Sequence, residues 1–175
     1  MSYKNLLFTI LILILIKDTS YSHGPSRQKV SESITIDAPS TDVWKIVNNF
    51  QNFKWNKNIE SVSSDSNKVG SERVLTFNSG ENVKQKLEKS DDTKMMVNWR
   101  IIETNNSILP VNSYSSKIFV KSKDGKTLVQ YKAGFYRGFM GNDPPPELND
   151  ENSKKLVKNF ITENLQGLKK IVEKQ

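Results

Sequence analysis

Residues 111–136, VNSYSSKIFVKSKDGKTLVQYKAGFY, hold two alternating segments on either side of one Asp-Gly pair. Tyr114, Ser116, Ile118 and Val120 share one parity before the turn, and Val129, Tyr131, Ala133 and Phe135 share one after it. A period of two over this length marks half-buried strands, and Asp124-Gly125 supplies the backbone freedom a tight hairpin needs. The pattern extends upstream. Lys94–Glu103 sets Val97, Trp99 and Ile101 against Met96, Asn98 and Arg100; Val83–Lys89 sets Val83, Gln85 and Leu87 against Lys84, Lys86 and Glu88; Ser71–Asn78 carries Leu75 and Phe77. Asp91-Asp92-Thr93 and Ser79-Gly80-Glu81-Asn82 are turns between them. Connections this short join antiparallel neighbours, so the region reads as a meander.

The two ends complete the architecture. Val30–Asp37 is a strand with Val30, Ile34 and Ile36 on one face, and Pro39 stops it. Ser40 or Thr41 can then cap a helix, Asp42–Phe50, with Val43, Ile46, Val47 and Phe50 on one stripe. Phe53–Asn56 suggests a second short helical turn leading into a strand at Ile59. After the triple proline Pro144–Pro146, Asn149 or Asp150 caps an amphipathic helix over 151–173. Its stripe is Leu156, Val157, Phe160, Ile161, Leu165, Leu168, Ile171 and Val172. The expected class is α+β: a curved antiparallel sheet of six to seven strands wrapped on a long C-terminal helix, with short helices after the first strand.

Composition narrows the chemistry. The chain has 175 residues, no Cys, one His, and 26 basic against 19 acidic residues. Thiolate nucleophiles, disulfides and Cys-ligated zinc are excluded, and one imidazole forms no His-based metal cluster. Neither a cofactor nor a metal site is expected. Lys4 followed by the apolar run Leu6–Ile16 and the small-residue stretch Ser20-Tyr21-Ser22 reads as a secretory signal peptide cleaved after Ser22. Eleven helical residues rise only about 16 Å, roughly half of a hydrocarbon core. The expected division is therefore signal peptide 1–22, flexible lead-in 23–29 and one domain over 30–175, periplasmic or secreted and not transmembrane after processing. Processing removes Lys4, Lys17 and Asp18 and takes the net charge from +7 to +6.

VSESITIDAPSTDVWKIVNNFQNFKWN, residues 30–56, resembles the START-like superfamily called SRPBCC: strand, Ala38-Pro39, Val43-Trp44 on a helix, then Phe50, Phe53 and Trp55. That superfamily includes polyketide cyclases, lipid-transfer domains and pollen-allergen-like proteins, and its architecture is called the helix grip. Leu109-Pro110-Val111-Asn112-Ser113-Tyr114, Phe135-Tyr136-Arg137, Asp143-Pro144-Pro145-Pro146 and Asn164–Lys170 resemble the periplasmic MxaD-like branch. The resemblance spans about 30–172. It implies a hydrophobic ligand or lipid, and an accessory role beside a periplasmic methanol dehydrogenase and its cytochrome.

A sheet gripping a helix leaves a space suited to an apolar ligand. Its candidate lining is Gln85, Leu87, Trp99, Tyr114, Ser116, Ile118, Tyr131, Phe135 and Phe160, with Gln85, Ser116 and the two tyrosine hydroxyls as orienting groups. The same residues could simply pack sheet against helix. The loop carrying Phe139, Met140, Pro144, Pro145 and Pro146 is a candidate lid or docking patch, or an ordinary connection. Glu88, Glu103, Arg73 and Arg100 are the groups available to a cyclase-like or hydrolytic alternative, but Glu88 and Arg100 oppose the parity of Leu87 and Trp99 and so face solvent. His23 sits beside the cleavage point. The lysines are spread over outward strand positions, which fits a solvated surface or steering toward an acidic protein, not nucleic acid.

Overall fold

Asp124 and Gly125 take φ values of 50° and 75°, both in the left-handed region, and reverse the chain within two residues. The hairpin they close joins the two longest strands, β6 (Val111–Lys123) and β7 (Lys126–Arg137). In chain order the molecule runs β1 (Gln28–Ile36), α1 (Ser40–Val47), β2 (Ile59–Ser64), β3 (Glu72–Phe77), β4 (Asn82–Asp91), β5 (Met96–Glu103), β6, β7, a 3-10 turn (Pro146–Leu148) and α2 (Asp150–Val172). The computed structural model describes residues 24–174. The expected signal peptide and His23 lie outside the described residues.

The strands form one antiparallel sheet in the order β1-β7-β6-β5-β4-β3-β2. This is the expected curved α+β sheet with its long C-terminal helix. The lead-in is shorter than expected, because Gln28 already pairs with Phe135 and opens β1. Helix α1 ends at Val47, and residues 48–58 continue as hydrogen-bonded turns where a second helical turn was expected. Neither Ser40 nor Thr41 caps α1: Pro39 is the N-cap, and its carbonyl accepts from the Asp42 and Val43 amides. For α2, Asn149 is the cap, its side chain accepting from the Asn152 amide.

A bulge in β6 preserves the inward parity. Register slips by one residue between Asn112 and Ser115, with Ser113 at a φ of 48°. The extra residue turns Tyr114 onto the face already held by Val111, so both are buried, and Ser116, Ile118 and Val120 follow.

Helix α2 packs over β1 and β7. Beneath it the core runs through Val157, Ile161, Leu165 and Leu168 to Tyr131, Phe135 and Trp99. Farther along the sheet, Phe50, Phe53 and Trp55 fill the space between helix and strands. The helix also reaches the outer edge of β1. Lys169 Nζ donates to the Thr35 carbonyl at 2.9 Å, and the Asp37 amide donates to Glu173 Oε1 at 2.9 Å. Among the described residues no helix is long and apolar enough to cross a membrane.

Candidate functional site

The alternation that builds β4 to β7 delivers eight of the nine expected lining residues to the buried inner face: Gln85, Leu87, Trp99, Tyr114, Ser116, Ile118, Tyr131 and Phe135. The ninth, Phe160, is only partly buried and packs against the margin of the core. Register explains the grouping. Leu87 pairs with Trp99, Trp99 with Ser116, Ser116 with Ala133, and Ile118 with Tyr131. The rings meet mostly edge to face. Trp99 and Tyr131 have centroids 5.9 Å apart, Phe53 lies 5.9 Å from Trp99 and 5.0 Å from Trp55, and Tyr114 stacks on Phe135 at 6.3 Å.

The polar groups of this interior are poorly served. Trp99 Nε1, the hydroxyls of Tyr114, Ser116 and Tyr131, and both side-chain ends of Asn164 are buried without hydrogen-bond partners. So are Trp55 Nε1 and Asn56 Nδ2. Burial is the main reason both tyrosines are pushed above the ordinary value of 10, so they stay neutral near pH 7. The hydroxyls of Tyr114, Tyr131 and Ser116 lie near enough to influence one another's ionisation, yet no pair adopts hydrogen-bond geometry.

Arg73 is the residue that pattern reading undervalued. It shares the parity of Leu75 and Phe77 on β3, and it is only 2% exposed. Its Nε and Nη2 donate to the Gln85 side-chain oxygen at 2.9 and 2.7 Å, and its Nη1 donates to the Phe50 carbonyl at 3.1 Å. The guanidinium lies over the rings of Phe50, Phe53 and Trp99, at 4.2, 4.4 and 4.9 Å. Burial pushes it down from the ordinary guanidinium range to about 9, with Tyr131 acting the other way, so at pH 7 it remains a cation. Asn164, marked in sequence only as part of the Asn164–Lys170 stretch, is likewise a buried polar residue inside the apolar stripe of α2.

The other candidates lie elsewhere. Glu88 and Arg100 pair with each other on the outer face at 2.5 Å, and Glu103 pairs with Lys84, so these carboxylates stand apart from the interior. Phe139 and Met140 are exposed, at 37% and 50%. Their loop is held down: Arg137 donates to the carbonyls of Phe139 and Gly141 at 2.8 and 2.6 Å and pairs with Asp150 at 2.7 Å. A surface depression of about 300 Å³ opens between residues 54–57 and α2, rimmed by Lys54, Lys57 and Lys170, with Trp55 and Gly167 in its wall. Among the described residues no cluster of His, Asp and Glu could hold a metal ion.

A sheet closed over a helix, with an aromatic interior and a few inward polar groups, defines a helix-grip protein of the ligand-binding kind. The chain belongs to the polyketide cyclase/dehydrase and lipid-transport family, whose model matches residues 27–173. No curated protein sequence matches it. Solved structures share the fold, three of them as follows. An aromatase/cyclase from a Streptomyces species superposes with a TM-score of 0.70 at 18% identity, over 85% of this chain and 94% of its own. The protein XoxI from Bacillus cereus gives 0.69 at 22% identity, over 83% and 95%. Norcoclaurine synthase from Thalictrum flavum, in complex with dopamine and hydroxybenzaldehyde, gives 0.66 at 15% identity, over 86% and 89%.

Proposed function

We propose that this protein binds an apolar small molecule or lipid between α2 and the inner faces of β3 to β7, without catalysing its conversion. The observation that carries this reading is the set of partnerless polar atoms on the inner face: Trp99 Nε1 with the hydroxyls of Tyr114, Ser116 and Tyr131. A buried polar group without a partner costs about 1–3 kcal/mol, against a total stability of about 5–15 kcal/mol for a typical domain. A cluster of this size is tolerable when water or a ligand meets it in the working protein. Binding is favoured over turnover by the kind of groups enclosed. Among the described residues the buried titratable set is Arg73, Arg137, Tyr114 and Tyr131, with no carboxylate or imidazole suited to exchange protons near pH 7.

The proposal includes export, with cleavage after Ser22. It also includes an accessory role of the MxaD-like kind beside a periplasmic dehydrogenase or cytochrome, to which a net charge of +6 would steer the protein if that partner is acidic. Native mass spectrometry and lipid extraction on protein recovered from the periplasm test the binding reading, supported by titration with an apolar fluorescent dye. Saturable dye uptake or a co-purifying apolar molecule is the expected result. The absence of both dye uptake and a co-purifying molecule would defeat it. N-terminal sequencing of exported material should begin at His23, and a start at Met1 would refute cleavage.

A further inference from the structure

We infer that the ligand is an apolar acid whose carboxylate seats on Arg73, an inference that rests on the interior binding reading above. The chain contains its own comparison. Arg137 is also buried, and it is supplied with a carboxylate from Asp150 and two backbone carbonyls. Arg73 is more deeply buried, and its partners are a neutral amide and a single carbonyl. Among the described residues no carboxylate lies within ion-pair distance of it, because its neighbour Glu72 points outward and pairs with Lys84 at 2.9 Å. A buried cation is ordinarily paired. Here one hydrogen on each terminal nitrogen of the guanidinium is unassigned, which suits a carboxylate fork.

The surroundings fit the rest of such a molecule. The rings of Phe50, Phe53 and Trp99 wall the guanidinium, and Trp99 leads edge to face to Tyr131, whose unpartnered hydroxyl can donate to the same head group. Beyond Tyr131 the interior continues along Ile118, Tyr114 and Phe135, whose buried surface is mostly apolar, with the Tyr114 and Ser116 hydroxyls as its polar points. On the solvent side, Phe53 meets Trp55 edge to face, and Trp55 walls a depression lined by Lys54, Lys57 and Lys170 together with Glu163, so cations outnumber anions on that face.

The test is isothermal titration of the full chain with matched pairs: 2-naphthoate against 2-naphthalenemethanol, and decanoate against decan-1-ol. At pH 7 at least one acid should bind about tenfold or more tightly than its alcohol. The preference should survive near 1 M salt, where surface charges are screened within about 3 Å. Arg73→Met should abolish the preference while leaving alcohol binding in place, and Arg73→Lys, which keeps the charge without the fork, should retain part of it. Preference for the naphthoate identifies a small aromatic acid, and preference for decanoate identifies a fatty acid. Equal binding of acid and alcohol overturns the head-group assignment and leaves the interior site standing. A preference that salt removes, or that persists in Arg73→Met, places the acid on surface lysines and also overturns it. If neither pair nor an apolar dye binds, both readings fall. Should Arg73→Met not fold, the wild-type salt series and Arg73→Lys still decide the question.

Discussion

Replacing Arg73 and Gln85 together by Met and Leu should make the ligand-free protein more stable while removing its affinity for acids. The displacement of the guanidinium from its ordinary value down to about 9 means that the folded state holds this proton less tightly than the unfolded chain does. At about 1.4 kcal/mol per unit, that corresponds to roughly 5 kcal/mol of stability withheld by burying the charge. The handicap is fully present below pH 9 and eases as the pH climbs from there toward the ordinary guanidinium value. Against its removal stand the ring contacts, together about 2 kcal/mol in a dry site, and the hydrogen bond to the Phe50 carbonyl. The thioether of Met recovers part of the ring contact, and Leu at 85 avoids stranding an amide that has lost its donor. The expected balance is a gain of about 1–3 kcal/mol, within the range seen when buried charges are exchanged for apolar groups of similar size. For a domain of this length that is roughly 2–4 °C of melting temperature per kcal/mol. Urea and thermal unfolding of the apo protein measure it. A double variant less stable than wild type by more than about 1 kcal/mol would refute the reasoning and make Arg73 a structural strut.

Other perturbations probe the rest of the frame. Gly167→Ala should destabilise by about 3 kcal/mol or more in urea unfolding, because an added Cβ collides with the Trp55 backbone carbonyl where helix and turn meet. Asp150→Asn should cost about 1–3 kcal/mol and speed amide exchange across residues 138–149, since it removes the carboxylate that pairs with a buried Arg137. The tyrosines give a pH signature. Both are pushed above 10 in the folded state, so the unfolded chain loses these protons first and stability should fall as the pH rises past 10. Urea midpoints measured in the Arg73→Met/Gln85→Leu background avoid the opposing slope of Arg73, and adding Tyr114→Phe and Tyr131→Phe should flatten the decline.

The legible parts of this molecule are those where local pattern and tertiary demand agree. Val129, Tyr131, Ala133 and Phe135 alternate because one sheet face is covered and the other is wet, and Asp124-Gly125 meets a dihedral requirement few other pairs satisfy. Residues 48–58 carry no period. Their course is set by contacts no window contains: the Gln51 amide donating to Asn67, Asn58 to Glu163, and Arg73 to the Phe50 carbonyl. The same limit hid the site's charged member. Arginine in an alternating strand is by default placed in water, and what draws Arg73 inward is a cage of rings from a segment more than twenty residues away and from β5. Its parity with Leu75 and Phe77 was the available signal. Asn164 broke an apolar stripe in the same silent way.

An open seven-stranded sheet has two margins, and one end of the β1 margin is met by the last turn of the final helix. Lys169 takes the Thr35 carbonyl and Glu173 takes the Asp37 amide, so the last turn of the final helix uses the backbone groups that a foreign strand would seek on β1. The final helix thus blunts one end of this edge against a foreign strand, and Lys169→Ala with Glu173→Ala would open that end to templated pairing.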